Sequence, residues 1–255
     1  MEQRRFLPGL GRHGEFVRLP RAYRQNVRWI PHIGDIFPDF DATTTQGPIR
    51  FYDWAEGSWT VLFSQPGAFT PVCTTELASL ARAEPEFTAR NTKLIGLTRD
   101  STEDQSAWCA EVEILYDTPI AFPLIEDLTG ILTNLCGMQH PKESTLTAIR
   151  KTFIIDPGLR IRMIFEYPSR IGRNTAELLR SLDALQHHDV LDVATPSDWK
   201  PGNDYLVPSA MSNRDADACF GQSWRAVNDY LRLIDSTGLF RHREVIEGKT
   251  GGGSL

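Results

Sequence analysis

The chain has 255 residues, 41% of them hydrophobic and 24% charged, the balance of a folded globular protein rather than a disordered one. With 27 basic against 33 acidic residues the net charge is −6, which argues against a nucleic-acid-binding surface. Apolar runs are only a few residues long, so no membrane-spanning helix is expected, and the N-terminus lacks the apolar stretch of a secretory signal.

In chain order, residues 1–30 read as a basic N-terminal extension. Arg4, Arg5, Arg12, Arg18, Arg21, Arg24 and Arg28 stand there against Glu2 and Glu15. An organelle-targeting reading is open, although the two acids and the absence of serine before Ser58 weigh against it; cytoplasmic residence is the expectation. Residues 31–188 read as one α/β domain. Ser58–Phe63 has the pattern of a strand. Thr74–Arg90 has a helical stripe of Leu77, Leu80 and Ala81, with Pro85 expected to kink it or end its regular part. Lys93–Thr98 is a second strand, and Thr102 with Gln105 predicts a capping box for a helix reaching about Glu111. Lys151–Asp156 and Ile161–Tyr167 predict a hairpin around Asp156-Pro157-Gly158. Asn174 with Glu177 opens a last helix, carrying Leu178, Leu182 and Leu185. This order predicts a central mixed sheet covered by helices. Residues 189–255 read as a C-terminal arm, turn-rich over Ala194–Pro208. Trp224, Val227, Leu231 and Ile234 predict a terminal helix there, and Gly251-Gly-Gly-Ser-Leu255 a flexible end.

The chemistry concentrates in Phe63-Ser-Gln-Pro66-Gly-Ala-Phe69-Thr70-Pro71-Val-Cys73-Thr-Thr-Glu76. A strand enters a proline- and glycine-containing loop, and the loop enters a helix whose first turn holds Cys73. Free N–H groups and the positive end of the helix dipole stabilise a thiolate there. Thr70, three residues earlier, brings a hydroxyl to the sulfur or to a bound oxygen. Thr70 and Glu76 occupy the places where a C-x-x-C motif would put a second cysteine. The thiol therefore attacks without closing a local disulfide, and its oxidised product is a sulfenic acid or a distant disulfide. A buried, inert cysteine would leave the proline–threonine loop unexplained. The other cysteines, Cys109, Cys136 and Cys219, are widely spaced, which disfavours zinc sites and disulfide frameworks. Cys109 and Cys136 read as bystanders. No metal or cofactor is implied.

Pro66, Thr70 and Cys73 form a P-x-x-x-T-x-x-C pattern, and Phe69–Leu77 resembles the peroxidatic loop of peroxiredoxins, in particular the one-cysteine, peroxiredoxin-6-type subfamily. Supporting landmarks are Ile33-Gly34-Asp35, Pro38-Asp39-Phe40, Lys93–Trp108, Gly172-Arg173-Asn174 and Ala194–Trp199, covering roughly residues 31–208. The resemblance implies a thioredoxin-like fold and an arm that joins two subunits into a homodimer or higher homo-oligomer. It assigns Cys73 as peroxidatic cysteine, Thr70 as the hydroxyl that orients peroxide, and Pro66 as a shield from water. Arg150 matches the active-site arginine; the residues alone leave Arg160, Arg162, Arg170 and Arg173 as equal candidates. Glu76, with Arg173, is expected to orient the arginines. Cys219, in the arm, is a possible resolving cysteine.

Two departures from the family text bear on function. Gln65 stands where many one-cysteine members carry histidine, so a step relying on that histidine is in doubt. Glu56-Gly57-Ser58-Trp59-Thr60 lacks the glycines of a G-x-S-x-G motif, so no phospholipase activity is expected. The expected activity is reduction of hydrogen peroxide and small organic hydroperoxides through a Cys73 sulfenic acid, restored by an external thiol such as glutathione or thioredoxin. The competing readings are a peroxide sensor or oxidation-dependent chaperone using the same cysteine, and a dithiol oxidoreductase, which the missing C-x-x-C disfavours.

Overall fold

The computed structural model describes residues 30–139, 143–144 and 146–239. The arginine-rich segment before residue 30 and the glycine-rich end lie outside the described residues. The main sheet has seven strands: β1 (Asp41–Thr44), β2 (Gly47–Arg50), β3 (Trp59–Ser64), β4 (Thr92–Thr98), β5 (Leu124–Glu126), β6 (Arg150–Ile155) and β7 (Ile161–Tyr167). Their spatial order is β2-β1-β5-β4-β3-β6-β7. β3, β4 and β5 run parallel, and the remaining pairs are antiparallel. The predicted mixed sheet with helices is thus the observed architecture. The helices are α1 (Phe51–Ala55), α2 (Pro71–Thr88), α3 (Thr102–Tyr116), α4 (Ile131–Leu135) and α5 (Thr175–Leu191).

Both sheet faces are buried, and strand periodicity of two sorts the side chains between them. Trp59, Val61 and Phe63 of β3 and Ile154 of β6 pack with Leu77, Leu80 and Phe87 of α2, Trp108 of α3 and Leu178 of α5. Leu62 of β3, with Phe153 and Ile155 of β6, joins Phe37, Phe51 and Leu132 on the opposite face. The same alternation sends Arg150 and Thr152 toward α2, and Lys151 away from it, where its ammonium meets Glu166 at 2.7 Å.

Several predicted elements shift. α2 begins at Pro71, not Thr74, with Pro71 in the first turn where a missing N–H costs nothing. It continues through Pro85 to Thr88, with fully buried Phe87 anchoring its last turn. The cap of α3 is Ser101, whose hydroxyl accepts the Asp104 N–H; Gln105 is instead buried, donating to Thr98 Oγ1 and Ile125 O. That helix reaches Tyr116 and ends where Asp117 turns left-handed. The cap of α5 is Asn174, as predicted.

Beyond α5 the helix predicted over Trp224–Ile234 is absent. β9 (Trp224–Ala226) and β10 (Arg232–Ile234) pair antiparallel, and β10 also pairs with β8 (Tyr205–Leu206). Asn228 reverses the chain by accepting the Tyr230 and Leu231 N–H groups on its side chain, a turn that the apolar spacing does not reveal. A short helix, α6 (Asn213–Phe220), precedes this hairpin. Trp199, Tyr205, Phe220 and Ile234 give the segment its own apolar cluster. His187 of α5 joins it by bonding Tyr205 at 2.7 Å and meeting the Trp199 ring edge-on. No helix among the described residues is long and apolar enough to cross a membrane.

Gly96 in β4 sits where a Cβ would lie 2.5 Å from Leu124 Cδ2 and 3.0 Å from the Phe63 ring. Gly96→Ala is therefore expected to destabilise the protein by about 1–3 kcal/mol through overpacking. A denaturant titration checks this; an unchanged midpoint would show that β3 and β5 give way there.

Candidate active site

β3 ends at Ser64, and residues 65–70 lead into α2. Thr70 is the N-cap residue by backbone geometry, but its hydroxyl donates to Gly67 O at 2.9 Å and caps no helical N–H. The first intrahelical bond runs from Thr74 N to Thr70 O. The N–H groups of Val72 and Cys73 are thus among those that an α-helix leaves without an intrahelical acceptor. Cys73 occupies this turn, with its side chain fully buried.

Arg150 NH1 donates to Cys73 Sγ at 3.2 Å and to Glu76 Oε2 at 2.6 Å, while its Nε is held by Ser169 O at 2.9 Å. Glu76 lies three residues after Cys73, on the same side of α2. Arg173 binds it through its backbone N–H at 2.8 Å, its Nε at 3.1 Å and its NH2 at 2.9 Å. Arg173 also reaches Ser64 O and Thr152 Oγ1, tying both strands to the helix. Burial alone would push the Glu76 carboxyl up. The charge and hydrogen bonds of Arg173, with the charge of Arg150, outweigh it and hold the group below the usual carboxylate range. Two guanidinium charges thus share one carboxylate, all three side chains being 2–3% exposed. The excess positive charge faces the sulfur.

Gln65, fully buried, donates through Nε2 to Cys73 O at 3.1 Å and to Glu76 Oε2 at 3.4 Å. Where a histidine would titrate, this amide ties the first turn of α2 to the carboxylate without changing charge. Pro66 is half-buried in the loop, beside Gln65. Asp100, at the end of β4, accepts the Ala68 N–H at 2.7 Å; sequence reading did not single it out.

The other thiols have different surroundings. Burial and Glu113 push the Cys109 thiol up to about 11. Burial and Asp127 push the Cys136 thiol up to about 12 despite nearby Lys151. Cys219 is exposed on α6. Of the predicted site residues, the structure brings Cys73, Glu76, Arg150 and Arg173 into one cluster and places Thr70 and Pro66 in the loop beside it. Cys219 is outside that cluster.

A fold of this topology with one buried cysteine at a helix N-terminus, bonded by an arginine, defines a class of cysteine-dependent oxidoreductases. Residues 33–164 match the AhpC/TSA family, and residues 184–218 match the C-terminal domain of 1-Cys peroxiredoxin. Peroxiredoxin PRX1, mitochondrial, of Saccharomyces cerevisiae is 44% identical over 225 residues, 86% of each chain. Peroxiredoxin-6 of Mus musculus is 43% identical over 74% of this chain and 88% of its own. A solved yeast mitochondrial 1-Cys peroxiredoxin superposes with a TM-score of 0.77 at 42% identity, covering 81% of this chain and all of the other. A cysteine-to-serine mutant of peroxiredoxin 6 from Arenicola marina also gives 0.77, at 37% identity, covering 80% of this chain and 98% of its own. The chain belongs to the peroxiredoxin family, in its 1-Cys branch. It has the family's thioredoxin fold and is a thiol-dependent peroxidase.

The depressed Glu76 carboxyl sets a pH dependence. It contributes stability in full above its ordinary value of 4.5, and that contribution is lost as pH falls through the lower folded value. Wild type is expected to exceed Glu76→Gln in unfolding free energy by about 3 kcal/mol from neutrality down to about pH 5. The gap closes in stronger acid, where the carboxyl becomes the neutral isostere of the amide. Denaturant titrations across this range check it; a gap that widens on acidification would contradict the reading.

Proposed function

We propose that Cys73 is the peroxidatic nucleophile of this peroxidase, acting on hydrogen peroxide and small organic hydroperoxides. The observation that carries this is the Arg150 guanidinium bonded to Cys73 Sγ within a buried cluster of excess positive charge. The thiolate attacks one oxygen of the O–O bond, an S–O bond forms, and the O–O bond breaks. The leaving oxygen departs as water or an alcohol after taking a proton, and Cys73 becomes a sulfenic acid. Arg150 and the Cys73 N–H stabilise the charge that develops on the oxygens. Thr70, whose hydroxyl proton is engaged by Gly67 O, presents its oxygen lone pairs to the peroxide O–H and so orients it. Half-buried Pro66 keeps water from the sulfur. Glu76 and Arg173 hold Arg150 in place.

An external thiol reduces the sulfenic acid; the related yeast structure concerns thiol resolution through glutathione and thioredoxin systems, which favours reductants of that kind. Cys219 is assigned the alternative route, a disulfide with Cys73 of a second subunit. The assembly is a homodimer: beyond Ile161, whose backbone pairs with Gly34 and Asp35, β7 has β6 as its one strand partner among the described residues, which leaves the rest of its outer edge suited to a second copy. For the compartment, the mitochondrial name of the yeast relative favours the targeting reading of the arginine-rich N-terminal segment over cytoplasmic residence.

Stopped-flow oxidation of the reduced protein by hydrogen peroxide tests the assignment. Cys73→Ser is expected to abolish the fast phase, and Arg150→Met to slow it about a hundredfold. Oxidation that survives Cys73→Ser sinks the proposal. Non-reducing electrophoresis after one equivalent of peroxide decides the resolving route. A linked dimer that vanishes in Cys219→Ser assigns it to Cys219, and one that persists removes that residue.

A further inference from the structure

Cys73 is fully buried, so a bulky thiol cannot reach the sulfur unless residues 65–74 move. What holds that segment closed is visible in its hydrogen bonds. Its start is fixed by Gln65 N donating to Leu97 O, and its end by the first turn of α2. Between them, the Thr70 hydroxyl bonds only within the loop, to Gly67 O. Among the described residues, one hydrogen bond ties residues 66–69 to anything outside the segment: Ala68 N to Asp100 Oδ2, at 2.7 Å.

Asp100 itself belongs to a fixed frame. Its N–H donates to Thr98 Oγ1, and its carbonyl accepts from Gln105 Nε2; Thr98 and Gln105 are both fully buried. The loop it holds is strained. Phe69, next to Ala68, has a left-handed φ of 54°. For a bulky residue this conformation costs free energy, and the side chain is 51% exposed, so core packing offsets little of it. Loss of that one charge-assisted bond would let this strained element relax.

We propose that Asp100 is the latch of this element: a positioning residue whose carboxylate holds the 66–69 turn closed over Cys73, and whose release admits the reducing thiol. This rests on Cys73 being the peroxidatic thiol. The closed state keeps Cys73 against Arg150 for reaction with peroxide. The open state exposes it for resolution.

The test is the rate of Cys73 labelling in the reduced full-length protein by a polymer-linked maleimide, read by mass spectrometry. Cys136, equally buried but remote from the latch, reports general loosening. Asp100→Ala is expected to raise Cys73 labelling roughly ten- to hundredfold, the range commanded by a hydrogen bond to a charged group. Asp100→Asn, which keeps an acceptor there, falls closer to wild type. Ala68→Pro removes the donor instead and is expected to accelerate labelling as Asp100→Ala does. Oxidation by hydrogen peroxide changes less than labelling, because the closed state still predominates. Labelling of Cys73 that is unchanged in Asp100→Ala, or that rises only in step with Cys136, overturns the latch. Failure of Cys73 to react rapidly with peroxide in the wild type would instead overturn the assignment on which the latch rests.

Discussion

One buried carboxylate organises the site. Glu76 accepts from Arg150, from Arg173 and from Gln65, and those donors come from β6, from the turn before α5 and from the end of β3. Two guanidinium ions at 2–3% exposure would be prohibitively costly without it. With it they remain one negative charge short. One of the two, Arg150, also bonds the sulfur of Cys73. The burial that makes the cluster expensive also strengthens its field at the sulfur, since little water screens it.

The sheet makes this cluster possible through parity. Along β6 the side chains of Arg150, Thr152 and Ile154 face α2, while Lys151, Phe153 and Ile155 face the other core. A one-residue slip of β6 would put Lys151 against Cys73 and bury Arg150 near Gly137. The alternating apolar residues on both faces forbid that slip. Register set by hydrophobic packing is thus what delivers a guanidinium, with its rigid fork of donors, to the thiol and to Glu76 together.

Much of this was legible in the sequence because it is local. The proline–threonine loop and the cysteine at a helix start follow from residue order over a dozen positions. Strand Ile161–Tyr167 and the Asn174 cap stand where propensity puts them. Arg150 was not legible from the residues alone, because four other arginines were equivalent until β6 paired with β3; the family resemblance singled it out. The predicted helix over Trp224–Ile234 failed for a related reason. Its spacing fits a helix, but Asn228 closes a turn and β8 offers β10 a partner, so pairing wins over periodicity. Asp100 carried no signal because its role exists only when the end of β4 meets a loop 32 residues earlier.

Burial does not distinguish Cys73 from Cys136. Cys73 and Cys136 are 0% and 1% exposed. Cys136 has Asp127 near it, and with burial this pushes its thiol up to about 12, leaving it protonated at any physiological pH. Lys151 opposes the shift, but its ammonium is engaged by Glu166 and Gly137 O. Cys73 receives a guanidinium hydrogen bond directly and lies at the positive end of an 18-residue helix. The same apolar enclosure therefore holds two thiols with opposite electrostatic partners. The difference lies in which charge reaches the sulfur, and that is decided by strand parity and by the single carboxylate that keeps both arginines in the core.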